Sequence, residues 1–296
     1  MGQKEMPGPL LTWKVFMKVL LTNDDGIQAT GLHAMRRALQ ELDGVQLAVI
    51  TPDSNRSASA RSITTRRPLW VEEVEFGDGT RGFATDGTPV DCVRFATLGL
   101  IGDFEPELIV SGINHGANLG DDITYSGTVA AALEGALLGL PAIAVSQQSK
   151  KREMDFRLGR EFDFDALAAF TARLISGLEE RPISEGTLLN INCPAVSEEG
   201  LNGAEVTRLG KRIYRDRLEL EDEDDGEGAQ RRLYRIYGDD PSYHHEEGTD
   251  FAAIRAGKIS VTPLHFHLTD VERIDELRDW DLSSLASPMP TATPEP

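Results

Sequence analysis

The stretch that most constrains the fold lies at residues 18–27, where a short apolar run ends in two adjacent aspartates. Val19, Leu20 and Leu21 form the kind of run found in central strands of parallel sheets, because such strands are buried on both faces. Residues 23–26 interrupt the run, and a helical pattern opens at Gly31. The pattern predicts a strand, a polar loop and a helix. In open α/β sheets, ligands bind beyond the carboxyl ends of such strands.

Asp24 and Asp25 are the carboxylates of this polar loop. Two adjacent carboxylates repel each other, so either one stays protonated or a cation holds both. A hard divalent ion such as Mg2+ binds one or two carboxylates and completes its coordination with other oxygen atoms. The alternative is a polar turn in which the aspartates only cap the following helix. This stretch alone leaves both interpretations open.

Further apolar segments alternate with helical patterns along the chain. The predicted strands are residues 45–50, 107–111, 140–146 and 187–193, and an amphipathic helix is predicted at 164–178. This alternation predicts an α/β fold with a mostly parallel sheet flanked by helices. Residues 69–74 and 82–84 are predicted to pair as a hairpin or as edge strands. Asp86 and Asp91, in the turn that follows, are interpreted as residues that shape a site without taking part in chemistry.

A second polar loop, residues 112–122, follows the strand predicted at 107–111 and is rich in glycine. Its glycines let the backbone approach a ligand closely, and Asn118 adds a polar side chain. The loop leads to Ser126, a favourable N-cap, where the N–H groups of Gly127 and Thr128 form an anion site with the helix dipole. Hydroxyl residues at a helix start are also ordinary caps, and the loop is compatible with either role.

The net charge argues against a polymeric nucleic acid as partner. The chain has 49 acidic and 30 basic residues and a formal charge of −19, whereas phosphate backbones are bound through basic surfaces. The acidic composition is also compatible with a surface adapted to high salt. Residues 56–67 nevertheless contain four arginines and no acidic residue. They are interpreted either as a basic lip that attracts a small anion or as a solvated loop.

The sequence favours a cytoplasmic protein that does not enter the membrane. The longest apolar stretch, residues 129–145, is too short to span a bilayer and is interrupted by charged, glycine and proline residues. No secretory signal pattern is visible. The two cysteines, Cys92 and Cys193, both lie in apolar surroundings, which argues against a disulfide framework.

The C-terminal part of the chain departs from the α/β alternation. Residues 204–237 alternate apolar and charged residues around an acidic cluster at 219–227, which predicts a long β-hairpin with an acidic tip. Such a hairpin buries little by itself, so we expect it to pack on another subunit. The predicted organisation is an N-terminal extension (1–17), a core (18–203), a hairpin arm (204–248), a C-terminal segment (249–282) and a disordered tail (283–296).

Six motifs in a fixed order resemble one known family. They are residues 23–27, 55–58, 87–93, the pair 111–114 and 126–129, residues 190–194, and the pair 249–250 and 260–264. Together they are similar to the survival protein E (SurE) family of metal-dependent nucleotidases, over roughly residues 17–270. Val90 departs from the family's usual alanine, and the N-terminal extension is additional.

The resemblance implies a Rossmann-like core and a phosphatase site. The implied ligands of one divalent cation, Mg2+ or Mn2+, are Asp24, Asp25, Ser57 and Asn114. The implied phosphate contacts are Asn118, Ser126, Gly127 and Thr128. The implied substrates are nucleoside 5′- and 3′-monophosphates and, in some members, short polyphosphate. The family also implies domain-swapped dimers, and sometimes tetramers, formed through the C-terminal hairpin and tail.

For the chemistry, Asp24 is our candidate acceptor of the proton from the attacking water. A rival hypothesis makes Asp24 a nucleophile that forms an aspartyl phosphate. A third makes the chain a non-catalytic nucleotide-binding regulatory module, since fold does not determine function. The sequence contains neither the dinucleotide-binding glycine pattern nor the P-loop pattern. His115 is close enough in sequence to be considered as the general acid, but the sequence does not assign that role.

Overall fold

The computed structural model describes residues 17–150, 161–224, 231–238, 242–280 and 282–286. They form two compact units, one ending at His265 and one beginning at Phe266. The predicted N-terminal extension, apart from Met17, lies outside the described residues, as does the end of the acidic tip at 225–227.

The first unit contains a nine-stranded sheet with the order β3-β4-β2-β1-β5-β6-β7-β13-β8 among the described residues. The strands of the whole described chain are β1 (Met17–Thr22), β2 (Val45–Pro52), β3 (Val71–Glu75), β4 (Arg81–Thr85), β5 (Leu108–His115), β6 (Ala142–Gln147), β7 (Thr187–Cys193), β8 (Ala204–Val206), β9 (Arg212–Ile213), β10 (Asp216–Asp224), β11 (Arg231–Gly238), β12 (Ser242–Tyr243) and β13 (Ile259–His265). Within the sheet only the β3–β4 and β7–β13 pairs are antiparallel. The predicted mostly parallel α/β sheet is confirmed.

Helices cover both faces of this sheet. The helices of the first unit are α1 (Thr30–Gln40), α2 (Pro89–Thr97), α3 (Gly127–Leu137), α4 (Asp165–Ser176) and α5 (Asp250–Arg255). Alternate residues of a strand point to opposite faces, and β1 shows the result. Val19 and Leu21 belong to one apolar cluster with residues of α1 and α4, whereas Leu20 belongs to another with residues of α2 and α3. Both faces are therefore buried, as the continuous apolar run predicted.

The strand order places a topological switch point at the centre of the sheet. The chain runs from β1 to its neighbour β2, and later returns to place β5 on the other side of β1. Connections that leave in opposite directions open a crevice beyond the carboxyl ends of these two strands. The two polar loops singled out in the sequence leave β1 and β5 at this crevice.

The region after residue 203 differs from the predicted single hairpin. β8 pairs with β13 in the main sheet, and β9 pairs with β12, so only β10 and β11 form the long hairpin. β8 has the same alternating pattern as a hairpin strand, but Val206 has Val261 as its partner and Thr207 shares a hydroxyl hydrogen bond with Thr262. These partners lie 55 residues away along the chain, so local alternation did not reveal them.

The second unit is short and helical where it is described. It contains a 3-10 turn, Val271–Arg273, followed by α6 (Ile274–Arg278) and α7 (Leu282–Leu285). The start of the predicted disordered tail is thus a short helix, and residues 287–296 lie outside the described residues. No helix in the described parts of the chain is both long and apolar enough to cross a bilayer.

Candidate active site

Asp24 is the second residue after the end of β1 and is only 3% exposed. The hydroxyl of Thr128 in the first turn of α3 donates to its Oδ1 atom at 2.6 Å. Gly127 makes this approach possible, because a Cβ atom there would lie 2.8 Å from the Cβ of Asp24. The aspartate pair and the start of α3, predicted from separate stretches of sequence, are therefore in direct contact.

The surroundings of Asp24 disfavour its charged form. Burial, and then the neighbouring Asp25 carboxylate, raise the pKa of Asp24 from 3.8 to about 6, against the lowering effect of the Thr128 hydrogen bond. A cation bound at this carboxylate pair would offset both the burial cost and the repulsion. The site thus has an electrostatic reason to take up positive charge.

Hydrogen bonds to Asp25 connect the loop after β1 with the end of β5 and with the loop that follows β2. Its Oδ1 accepts from the amide of Asn55 at 2.9 Å, and its Oδ2 accepts from the backbone N–H of His115 at 2.9 Å. Asn55 in turn accepts the N–H of Ser57 at 2.8 Å. Ser57 is thus two hydrogen bonds from Asp25, on an exposed loop, while the next residue to His115 is Asn114.

Asn114 lies near the end of β5, just after a change in the register of this strand. The β5–β6 pairing shifts between Ser111 and Asn114, which re-aims the end of the strand. Gly112 in this shift has φ 139°, and a Cβ there would lie 2.3 Å from the carbonyl oxygen of Val145. The amide nitrogen of Asn114 donates to the carbonyl of Gly116 at 2.7 Å, which turns its side-chain oxygen the other way. That oxygen is the atom suited to a cation.

Asn118 is held from β6 and β7 by contacts that the sequence reasoning did not assign. Asn192 accepts its backbone N–H at 2.8 Å, and the amides of Asn190 and Asn192 both donate to its carbonyl at 3.0 Å. Its own amide donates to Ser146 Oγ at 2.8 Å. The available signal was the presence of asparagines at alternate positions of a strand otherwise predicted to be buried.

The start of α3 has the features of an anion site. Ser126 is its N-cap, and its Oγ accepts the N–H of Val129 at 3.1 Å, so its hydroxyl proton remains available for another acceptor. The first turn contains no acidic residue. Thr128 differs from its expected role as a phosphate contact, because its single hydroxyl proton is donated to Asp24. Its side chain orients the carboxylate, and its backbone N–H also hydrogen-bonds to Asp24, so Thr128 serves the aspartate rather than an anion.

The donor set fits a hard cation. The four predicted ligands offer carboxylate, hydroxyl and amide oxygens, which suit Mg2+ or Mn2+ rather than a softer metal. Within the described residues no group of three or more His, Cys, Asp or Glu side chains could hold a metal. The predicted ligand set has only two carboxylates, and its other oxygens are neutral. A cation held by such a set needs the substrate or water to complete its coordination.

Three of the four arginines in the predicted basic lip are paired with carboxylates of the protein. Arg56 contacts Asp53 at 3.0 Å, Arg61 contacts Glu134 at 2.7 Å, and Arg67 contacts Asp86. The charge of this segment is therefore largely neutralised within the fold, which favours a structural role over an anion-attracting lip. Asp91 likewise has a structural contact, since it caps α2 and accepts the N–H of Thr64 at 3.0 Å.

Comparisons with known proteins point to one family. The family model described as survival protein SurE matches residues 19–216. A protein named 5′-nucleotidase SurE from Rubrobacter xylanophilus is 50% identical over 270 residues, which are 91% of this chain and 99% of that protein. Another with this name, from Chloroflexus aggregans, is 45% identical over 265 residues, 90% of this chain and 99% of its own. The crystal structure of SurE from Aquifex aeolicus has a TM-score of 0.73 and 37% identity, and the match covers 88% of this chain and 98% of that one.

Proposed function

The chain belongs to the survival protein SurE family, and from this premise we propose that it is a 5′-nucleotidase. It hydrolyses nucleoside 5′-monophosphates to nucleoside and phosphate. The observation that carries this proposal is the 2.6 Å hydrogen bond from Thr128 to Asp24. Through it, a buried carboxylate pair lies beside a helix start suited to a phosphate group.

The proposed cofactor is one divalent cation, Mg2+ or Mn2+, held by Asp24, Asp25, Ser57 and Asn114. When bound, such an ion neutralises phosphate charge and makes a bound water more acidic. The asparagine and backbone contacts to Asp25 keep its two oxygens in fixed positions. This prior ordering reduces the rearrangement that binding requires.

The protein's own groups divide the remaining work. Asp24 holds its Oδ1 against Thr128, so its Oδ2 is the atom that accepts the proton of the attacking water. The Ser126 hydroxyl and the N–H of Gly127 donate to the phosphate oxygens. Asn118, fixed through its backbone and one amide proton, offers its second amide proton.

The proposed contacts bind the phosphate rather than the base or the sugar. A site built this way accepts more than one nucleotide, and we extend the proposal to nucleoside 3′-monophosphates and short polyphosphate. The cytoplasm is the proposed compartment, because Cys92 and Cys193 are free, buried thiols. Burial raises the pKa of both thiols, that of Cys193 to about 12, which makes them poor nucleophiles.

We also propose that the chain forms a homodimer, or a tetramer built from dimers, with the β10–β11 hairpin exchanged between subunits. Leu218 is paired with Ile236, and Leu220 with Tyr234, so these four side chains share one face of the hairpin. They are 44–78% exposed within a single chain. A two-stranded hairpin is marginally stable alone, and a second copy would cover this apolar face.

A metal-dependent activity panel tests the function. The purified protein is titrated with Mn2+ and Mg2+ against p-nitrophenyl phosphate, 5′-AMP, 5′-GMP, 3′-AMP and short polyphosphate. We expect phosphate release that requires the metal and is abolished in Asp25→Asn with the fold intact. Metal-independent release, or wild-type turnover in Asp25→Asn, would contradict the assignment. A nucleotide that binds without being hydrolysed would favour the regulatory module, and a trapped phosphoenzyme the aspartyl-phosphate route.

A further inference from the structure

Glu134 is a buried carboxylate that the proposed mechanism does not use. It lies on α3, and its side chain is only 1% exposed. A buried carboxylate is costly unless it is paired, and Arg61 and Arg94 both contact it. Arg61 Nη2 lies 2.7 Å from Oε2, and Arg94 Nη2 lies 2.6 Å from Oε1.

The two arginines come from different parts of the structure. Arg94 is in α2, which packs beside α3. Arg61 is in the loop between β2 and β3, four residues after Ser57. The contact from Arg61 is an aligned hydrogen bond, whereas Oε1, which faces Arg94, accepts no aligned hydrogen bond. The contact from Arg61 is thus the more directional of the two. Arg61 is also in the same loop as Ser57, a proposed ligand of the metal.

The loop from Ser57 to Arg61 contacts α3 and the residue before its cap. Ala60 donates its N–H to the carbonyl of Tyr125 at 3.2 Å. Beyond Arg61, the carbonyl of Ser62 accepts from the hydroxyl of Thr88 at 2.8 Å. The segment is thus fastened near Asp25 at its start and near α3 and α2 at its end, while Ser57 itself is exposed.

We propose that Glu134 is a positioning residue, which acts through Arg61 to hold the Ser57 loop against α3 and so sets the affinity of the site for a divalent cation. This inference rests on the proposed function, because it assumes that Ser57 is a ligand. It assigns Glu134 no contact with the substrate. Groups that orient the ligands of a metal change its affinity by about 10- to 100-fold when they are removed.

Arg94 supplies the matched control. Arg61→Ala and Arg94→Ala each remove one cation from the same carboxylate, and the two arginine side chains are 35% and 43% exposed. Both variants leave Glu134 with one partner fewer, so both should lower the melting temperature. Only Arg61→Ala also removes a contact that holds the end of the Ser57 loop against α3. A purely structural role for Glu134 predicts equal behaviour of the two variants toward metal.

The test measures Mn2+ binding to the full chain by electron paramagnetic resonance, with melting temperatures recorded in chelator. We expect Arg61→Ala and Glu134→Gln to weaken Mn2+ binding about tenfold or more, with Arg94→Ala close to wild type and Arg61→Lys in between. Activity at saturating Mn2+ should recover in Arg61→Ala, with KM for 5′-AMP little changed.

The outcomes separate this inference from the proposed function. Equal Mn2+ affinity in wild type and Arg61→Ala, or equal loss in Arg61→Ala and Arg94→Ala, overturns the positioning role. Failure of the wild-type chain to bind Mn2+, or unchanged binding in Asp25→Asn, overturns the metal site itself. If Arg61→Ala does not fold, Arg61→Lys provides the same comparison.

Discussion

Replacing Asp24 with asparagine should make the metal-free protein more stable at alkaline pH while it abolishes activity. Asp24 is buried beside Asp25, and these surroundings raise its pKa from 3.8 to about 6. Above pH 6 the folded protein therefore contains a buried charge that the unfolded chain exposes to water. Asparagine keeps the shape of the side chain and removes that charge.

The size of the effect follows from the pKa difference. Each unit corresponds to about 1.4 kcal/mol, so the shift from 3.8 to about 6 costs the folded state about 3 kcal/mol when both states are deprotonated. The cost decreases as the pH falls through 6, because the folded state takes up a proton first. It is about half as large near pH 5, and it vanishes below 3.8, where both states are protonated.

Urea unfolding in the presence of a chelator, repeated from pH 5 to pH 8, measures this difference. We expect Asp24→Asn to gain about 3 kcal/mol over wild type at pH 8 and about half of that at pH 5. Asp43→Asn, at an exposed position after α1, removes a carboxylate from the surface and is the control variant. A difference that is independent of pH, or that grows as the pH falls, would show that Asp24 is not a buried charge in the folded protein.

Added metal should make the wild type more stable than Asp24→Asn. A ligand that binds only the folded state stabilises it in proportion to its affinity and concentration. Added Mn2+ should therefore raise the free energy of unfolding of the wild type at pH 8 and have little effect on Asp24→Asn. Equal stabilisation of the two proteins by Mn2+ would mean that the ion binds elsewhere.

Three further substitutions test the supports of the site. Gly127→Ala should greatly reduce kcat with the protein still folded, because the new Cβ would lie 2.8 Å from the Cβ of Asp24; wild-type kcat would contradict the contact. Asn192→Ala should raise KM for 5′-AMP and cost about 1–3 kcal/mol in urea unfolding, because the N–H of Asn118 loses its partner and the carbonyl of Asn118 keeps only the hydrogen bond from Asn190; an unchanged KM would show that Asn118 does not contact the phosphate. Ala58→Gly should raise the free energy of unfolding by up to about 1 kcal/mol, because Ala58 has φ 57°, and a loss of stability would show that this conformation is not strained.

The centre of the fold could be predicted because its signals are local. The apolar runs of β1 and β5 each end in a polar loop, and parallel strands bring such loops to one edge of the sheet. Asp24 and Thr128 were predicted as members of one site from residues 104 positions apart, and the structure places them in contact. What the sequence could not determine is the direction of the Thr128 hydroxyl, which depends on how closely α3 approaches Asp24.

The parts of the fold and of the site that could not be predicted depend on partners that are distant in the sequence. Arg61 pairs with Glu134, which is 73 residues away in the sequence. Because the sequence does not reveal this partner, the arginine-rich segment had the pattern of an exposed basic lip. Asn192 binds Asn118 across 74 residues, and its position in a buried strand gave no indication of which group it would hold. The residues of β8 alternate in the pattern of a hairpin strand, but β8 joins the main sheet because it pairs with the edge of β13.

We propose that one divalent cation binds between the ends of β1 and β5, and anomalous diffraction from crystals soaked in Mn2+ would locate it. We predict one strong anomalous peak within coordination distance of oxygen atoms of Asp24, Asp25 and Asn114, and no peak there in Asp25→Asn crystals. A fully occupied Mn2+ site elsewhere, with no anomalous density at this crevice, would show that the cation does not bind there.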